Sequence, residues 1–241
     1  NWNKGRAKCF NVIGLTYTHR SLYDSALFFL EKGMAICDSF DLISVKGTIH
    51  LNISNIYSEK SDYASTMKHL VSAIRIFEQI KDKERTAGAM VNMGIVYFYQ
   101  GEYDTAISYY EKSIEIYEEM GREENLSFCY MNIGACYAYQ DRMIESIEYF
   151  FKTAELKKKT GELNGLCIAY QNIAEIEAHL SDMSLDSLSK LDRIERFSGK
   201  GDIKKNLLDS AKHYLKLGIK IAESIKSPIN IISGLSTLSN I

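Results

Sequence analysis

The sequence has little that would mark a membrane protein, a secreted scaffold or an enzyme. Its 241 residues include one proline and one tryptophan, and the formal charges nearly cancel, at −2. No apolar run approaches the roughly 20 residues that a bilayer span needs, and no signal-peptide pattern opens the chain. A balance so close to neutral gives no reason to expect nucleic acid as a partner. The one basic cluster, Lys157-Lys158-Lys159, is expected at a helix C-terminus, where it complements the helix dipole. Cysteines stand at 9, 37, 129, 136 and 167 without a close pair. Cys129 and Cys136 share a helix face but lie about 10.5 Å apart along the axis, too far for a disulfide. They are expected to be buried free thiols of a reducing, cytoplasmic compartment.

Catalytic and ligand-holding patterns are missing too. There is no Cys-x-x-Cys and no His-x-x-x-His spacing, so neither a metal nor another cofactor is expected. The five histidines, at 19, 50, 69, 179 and 213, are dispersed, each on an expected helix. No glycine-rich loop is built to cradle phosphate, and no Gly-x-Ser-x-Gly elbow occurs. Acidic runs such as Glu118-Glu119 and Glu123-Glu124 read as solvated faces. The chain is expected not to be an enzyme.

What is present is a period. Apolar residues make up 46% and charged residues 25%, the range of a folded soluble protein. Five segments repeat one pattern at a constant spacing, beginning at Asn11, Leu51, Val91, Met131 and Gln171. Each reads x-Asn-apolar-small-x-x-Tyr, with the first and last copies departing from it. A fixed period of this length marks a solenoid, whose long surface suits binding better than catalysis.

Each unit divides into two amphipathic helices. The first has a small residue at 14, 54, 94, 134 and 174, where a neighbouring helix can come close, and Tyr17, Tyr57, Tyr97 and Tyr137 three places on. The second opens with Tyr23, Tyr63, Tyr103 and Met143. It alternates small residues (Ala26, Thr66, Ala106, Ser146) with large ones (Leu30, Leu70, Tyr110, Phe150) at helical spacing. Small and large side chains at matched depths interdigitate. Gly101, Gly121 and Gly161 punctuate the turns, and Pro228 behind Ser227 suits the first position of a helix.

The expected units are 5–40, 41–81, 82–121, 122–161, 162–227 and a partial 228–241, forming one array over 1–241. In the fifth unit the second-helix pattern (Leu208, Ala211, Leu215, Gly218, Ile221) arrives much more than one period after Met143, Ser146, Phe150, Thr153 and Leu156. About 25 residues near 181–205 are therefore inserted in the turn, long for a structureless loop. Leu185, Leu188, Leu191, Ile194 and Phe197 recur at every third position. They could form a short helix packed on its own array, a docking element, or part of a disordered loop. The final Ser239-Asn-Ile241 matches Ser54-Asn-Ile56, which leads us to expect a piece of a longer protein.

The pattern resembles the tetratricopeptide repeat, with Gly94, Tyr97, Ala106, Tyr110 and Ser113 in that family's small and aromatic slots. It departs in two ways: its unit is longer than the family's usual length of about 34 residues, and no proline closes the second helix. It is similar to the longer variety found in kinesin light chains, polarity scaffolds and bacterial regulators that bind signalling peptides. The resemblance implies an all-α, right-handed α-solenoid of antiparallel helix pairs, about five and a half units long. It also implies that the first helices line the concave face. There Asn52, Asn92, Asn132 and Asn172 would form a ladder, each amide able to hold both the N–H and C=O of an extended peptide; the alternative is that they bond a neighbouring helix or only water. Asn11 stands one place early, with Val12 in its slot. Val91, Ile95, Phe98, Tyr99, Phe128, Met131, Ala135 and Tyr139 would line the middle of the groove. Gln171, Glu175 and His179 would line one end, and Lys8, Thr18 and His19 the other. The Lys and Arg with which some family members clamp acidic tails are missing: the corresponding pairs are Thr48/Asn52, Gly88/Asn92, Phe128/Asn132 and Ile168/Asn172.

The expected function is a non-catalytic peptide- or protein-binding module, the sensor or scaffold arm of a signalling protein, with no membrane or nucleic-acid partner. The alternative is a self-association module whose groove is filled in cis or by a second copy in a homodimer.

Overall fold

The two amphipathic segments of each unit fold as two helices joined by a tight turn. The computed structural model describes residues 2–192, 194 and 201–241. Twelve helices occur among them, and no strand. They are α1 (Trp2–Thr18), α2 (Tyr23–Ser39), α3 (Ile43–Glu59), α4 (Tyr63–Gln79), α5 (Lys83–Tyr99), α6 (Tyr103–Met120), α7 (Glu123–Tyr139), α8 (Met143–Thr160), α9 (Leu163–Asp182), α10 (Leu185–Ser189), α11 (Ile203–Ser224) and α12 (Pro228–Ser239). Contacts group them into two compact units, Asn1–Ile116 and Tyr117–Ile241, with the division inside α6.

One turn chemistry recurs throughout. A residue with left-handed backbone stands at 21, 41, 61, 81, 101, 121, 141 and 161, twice in each sequence period. The next residue's N–H then donates to a carbonyl five back, as in Leu22 to Tyr17 (3.0 Å), Asp62 to Tyr57 (2.9 Å) and Arg142 to Tyr137 (2.9 Å). This is the Schellman closure, which satisfies carbonyls a helix end leaves open. The following helix is often capped at once: Asp62 accepts from Ser65 N, Asp82 from Arg85 N and Glu162 from Gly165 N. Arg85 also reaches back from α5 to α3, donating to the hydroxyls of Ser44 and Thr48 at 3.0 Å each.

Small-against-large packing sets the helix pairs. A methyl on Gly14 would fall 2.6 Å from Leu30, one on Gly94 2.6 Å from Tyr110, and one on Gly134 2.8 Å from Phe150. In each case the large residue holds the same place in the following helix, so α1–α2, α5–α6 and α7–α8 dock in one register. The repeated tyrosines likewise pack against a ring at one matched position of the second helix, stacked in the first three copies and tilted in the fourth. Tyr17 lies 5.3 Å from Phe29, Tyr57 5.7 Å from His69, Tyr97 5.5 Å from Tyr109, and Tyr137 5.6 Å from Tyr149.

In the second unit α9 runs on to Asp182 and α11 begins at Ile203. Between them Leu188 of α10 and Ile194 are buried in the cluster that holds Ile173, Leu180 and Leu207. The inserted segment thus packs on its own helices through Leu188 and Ile194, while Leu185 is exposed. Phe197 lies outside the described residues. Pro228 opens α12, though Ser227 before it makes no side-chain cap. Four cysteines are buried free thiols as expected, but Cys9 is exposed.

Candidate functional site

On each first helix, residues three and seven places beyond the repeated asparagine share its face. In the first unit this face carries Leu15 and His19 at the end of α1, Asn52, Asn55 and Glu59 on α3, and Asn92 and Ile95 on α5. These residues, with Thr18, Ser58, Leu70 and others, line a cavity of about 500 Å³. Where α3 has Ser58 and Glu59, α5 has Phe98 and Tyr99. Phe98 lies edge-on to Tyr103 at 5.6 Å, and the exposed Tyr99 stacks on Tyr63 at 6.4 Å.

The asparagines are bonded within the chain. Asn52, 8% exposed, donates through Nδ2 to Asn11 Oδ1 at 2.7 Å, so α3 is tied to α1. Asn92 donates to Asn55 Oδ1 at 3.4 Å, a long and weak bond, and its own Oδ1 accepts none from the described residues. In the second unit Asn172 Nδ2 lies 3.3 Å from Met131 Sδ, and Asn132 donates to the Phe128 carbonyl of its own helix at 2.8 Å. Three of the four amides thus reach a neighbouring first helix. Asn11, one place out of register in sequence, is the acceptor for Asn52.

Other expected groove residues are scattered. Val91 is buried, Met131 and Ala135 are half-buried, and Phe128 and Tyr139 are exposed in the second unit. Gln171 donates to Glu175 at 3.0 Å and to Ser233 of α12 at 2.5 Å, and Thr237 of α12 donates to Glu175 at 3.3 Å. That end is therefore engaged with α12. Asn52, Asn92 and Ile95, with Thr18 and His19, are the expected residues that share the cavity. Asn55, Ser58 and Glu59 are additions to the expected set, although the spacing of Asn55 and Glu59 from Asn52 places them on its face.

Two departures from the repeat alter local charge. In the slot of Tyr57 and Tyr97, α9 has Glu177, 2% exposed. Ser210 donates to its Oε1 at 2.8 Å, but its buried Oε2 has no partner among the described residues. Burial pushes the carboxyl up to about 7. The second departure is His50 and His69, which meet Nδ1 to Nδ1 at 3.0 Å. Burial, then the facing His69, holds His50 down to about 4. Thus two of the histidines dispersed in sequence are paired in space, and His19 lies in the turn after α1 rather than on a helix.

Among the described residues no group of three or more His, Cys, Asp or Glu is placed to hold a metal. No helix among them is long and apolar enough to cross a membrane.

Comparison with known proteins agrees with this geometry. Residues 46–119 match the tetratricopeptide repeat family model. No curated protein is significantly similar in sequence. Aspartyl phosphate phosphatase F from Bacillus subtilis is similar in structure, with a TM-score of 0.79 at 17% identity over 97% of this chain and 55% of its own. A signal transduction ATPase from Pyrococcus horikoshii, described as having a tetratricopeptide repeat sensor, gives a TM-score of 0.71 at 14% identity over 98% of this chain and 36% of its own. A Rap protein in complex with Competence and Sporulation Factor gives 0.65 at 15% identity over 98% of this chain and 64% of its own. The chain spans about half the length of the first of these. Identities this low speak for the fold, an all-α solenoid of helix pairs.

Proposed function

We propose that this tetratricopeptide-repeat chain is a non-catalytic, cytoplasmic receptor for a protein segment, the sensor or scaffold arm of a regulatory protein. It would hold an extended peptide against the asparagine face of its first helices. One observation carries this: Asn52 and Asn92, one period apart, line the same cavity of about 500 Å³. That volume lies within the usual range for ligand sites. Asn92 is the group best placed to act. Its Oδ1 is unbonded and its Nδ2 is committed only to a 3.4 Å contact, so it can offer an acceptor and a donor to one peptide unit. Asn52 is spent on Asn11 and serves to hold the wall. In the second unit, taken by itself, Asn132 and Asn172 would offer the same amide to a ligand. The likeness to a Rap protein bound to Competence and Sporulation Factor and to an ATPase named for its repeat sensor supports the sensor role.

Binding of a hexapeptide library to the wild type and to Asn92→Ala tests the proposal. Selective binding that weakens in the variant is expected, and equal affinity of the two proteins for every peptide would sink it.

Self-association is a second reading, favoured by the exposed face of α12. Ile232 and Leu235 are 67% and 50% exposed, with Ile229 beside them. They stand in register with Cys167 and Tyr170 of α9, which pack on α11 through the Gly218 carbonyl and the Tyr214 ring. A helix of a second copy could take the matching place on α12. Sedimentation equilibrium decides: a strict monomer at high concentration removes this reading.

A further inference from the structure

The cavity in the first unit carries a charge bias that bears on what enters it. Among the described residues that line it, Glu59 is the only acidic side chain, none is Lys or Arg, and His19 is the one histidine. Glu59 is exposed and forms no ion pair among the described residues. Two helices end at this wall: Thr18 is the last residue of α1 and Glu59 the last of α3, and both face the cavity. Tyr23, the first residue of α2, and Thr66, in the first turn of α4, line the same wall, so the half-charges of the helix C-termini and of the N-termini that follow them largely offset each other. The adjacent cations, Arg20 and Lys60, are exposed and lie outside the lining. The Glu59 carboxylate is therefore the group that sets the charge met by whatever occupies the space.

Resting on the reading of this cavity as a peptide site, we infer that its ligand presents a positive charge to Glu59, either a Lys or Arg side chain or a free amino terminus. Asn92 holds the backbone of the segment. Leu15 and Ile95 give it apolar contact. The ammonium or guanidinium group sits over the ends of α1 and α3, next to Glu59, where it donates hydrogen bonds to a carboxylate. An acidic segment meets the same carboxylate with repulsion and finds no Lys or Arg to pair with. The site thus selects the opposite charge from repeats that clamp acidic tails.

The test uses the full chain and an array of N-acetylated, C-amidated hexapeptides of alanine and leucine. One position carries Lys, Arg, Gln or Glu, and a parallel set has a free amino terminus. Tighter binding of the Lys and Arg peptides, by about fivefold over Gln, with Glu weakest, identifies a side-chain cation. A gain only on removing the acetyl group identifies the amino terminus. In either case Glu59→Gln should erase the preference, so that the Lys, Arg and Gln peptides bind the variant alike. Binding that ignores charge, or a preference that survives Glu59→Gln, overturns this inference and leaves the peptide site standing. If no peptide binds at all, both fall.

Discussion

The side-chain amide of Asn52 donates to Asn11 Oδ1 at 2.7 Å and so joins α3 to α1 behind the cavity. Asn52 is buried, whereas Asn92 is half-exposed on the adjacent helix, so one repeated residue does two jobs. Losing a buried hydrogen bond and leaving its partner unsatisfied costs about 1–2 kcal/mol. Asn52→Ala should therefore lower the urea-unfolding free energy by about that amount. Asn92→Ala, which loses a 3.4 Å contact, should change it by less than about 0.5 kcal/mol. Equal losses in the two variants would contradict this division.

Close approach at Gly94 is a second point of leverage. A methyl there would lie 2.6 Å from the Tyr110 ring, and Tyr110 is fully buried. The ring has little room to move, so Gly94→Ala should destabilise the first unit by about 1–3 kcal/mol despite alanine's better helix propensity. Pairing it with Tyr110→Leu should recover part of the loss. A double variant no better than the single one would show that the register of α5 on α6 is set elsewhere.

Glu177 sets a pH dependence of unusual sign. Its carboxyl is raised from the ordinary 4.5 to about 7 in the folded chain, chiefly by burial. Between these values the unfolded chain has already released the proton that the folded chain still holds, so stability falls as pH rises through that window and levels off above it. The loss should amount to roughly 3 kcal/mol. Glu177→Gln should remove most of it, gaining stability at pH 8 and little at pH 4.5. Asp82, held below the usual carboxylate range by Arg85, acts in the other direction under acid. The difference between variant and wild type across pH isolates Glu177. A difference that does not change with pH would refute the assignment.

The fold was legible because its packing rule is periodic. The small slot at 14, 54, 94, 134 and 174 and the tyrosines at 17, 57, 97 and 137 recur once per period, and one register of helix on helix satisfies all copies. Chain reversals were only half legible. Gly101, Gly121 and Gly161 announce a left-handed backbone, but Ser21, Asp41, Ser61, Lys81 and Asp141 adopt the same conformation without the residue that favours it. There the Schellman closure and the docking of the next helix override local preference. The site was less legible still. The asparagine period shows which face repeats but cannot say which amide is spent on a neighbour, because that depends on Asn11, Asn55 and Met131 on the adjacent helices. Glu177 in a tyrosine slot was visible in the sequence, but its burial depended on α11 arriving with Ser210 beyond the insertion.

The most direct measurement is isothermal titration of the full chain and of Asn92→Ala with the tightest-binding hexapeptide from the array, once with native amides and once with its backbone N-methylated at each amide in turn. A backbone grip by Asn92 predicts that the variant binds about fivefold more weakly or worse. One N-methylated peptide should bind the wild type equally poorly and show no further loss in the variant. Undiminished binding by Asn92→Ala, together with indifference to N-methylation at every position, would contradict the account.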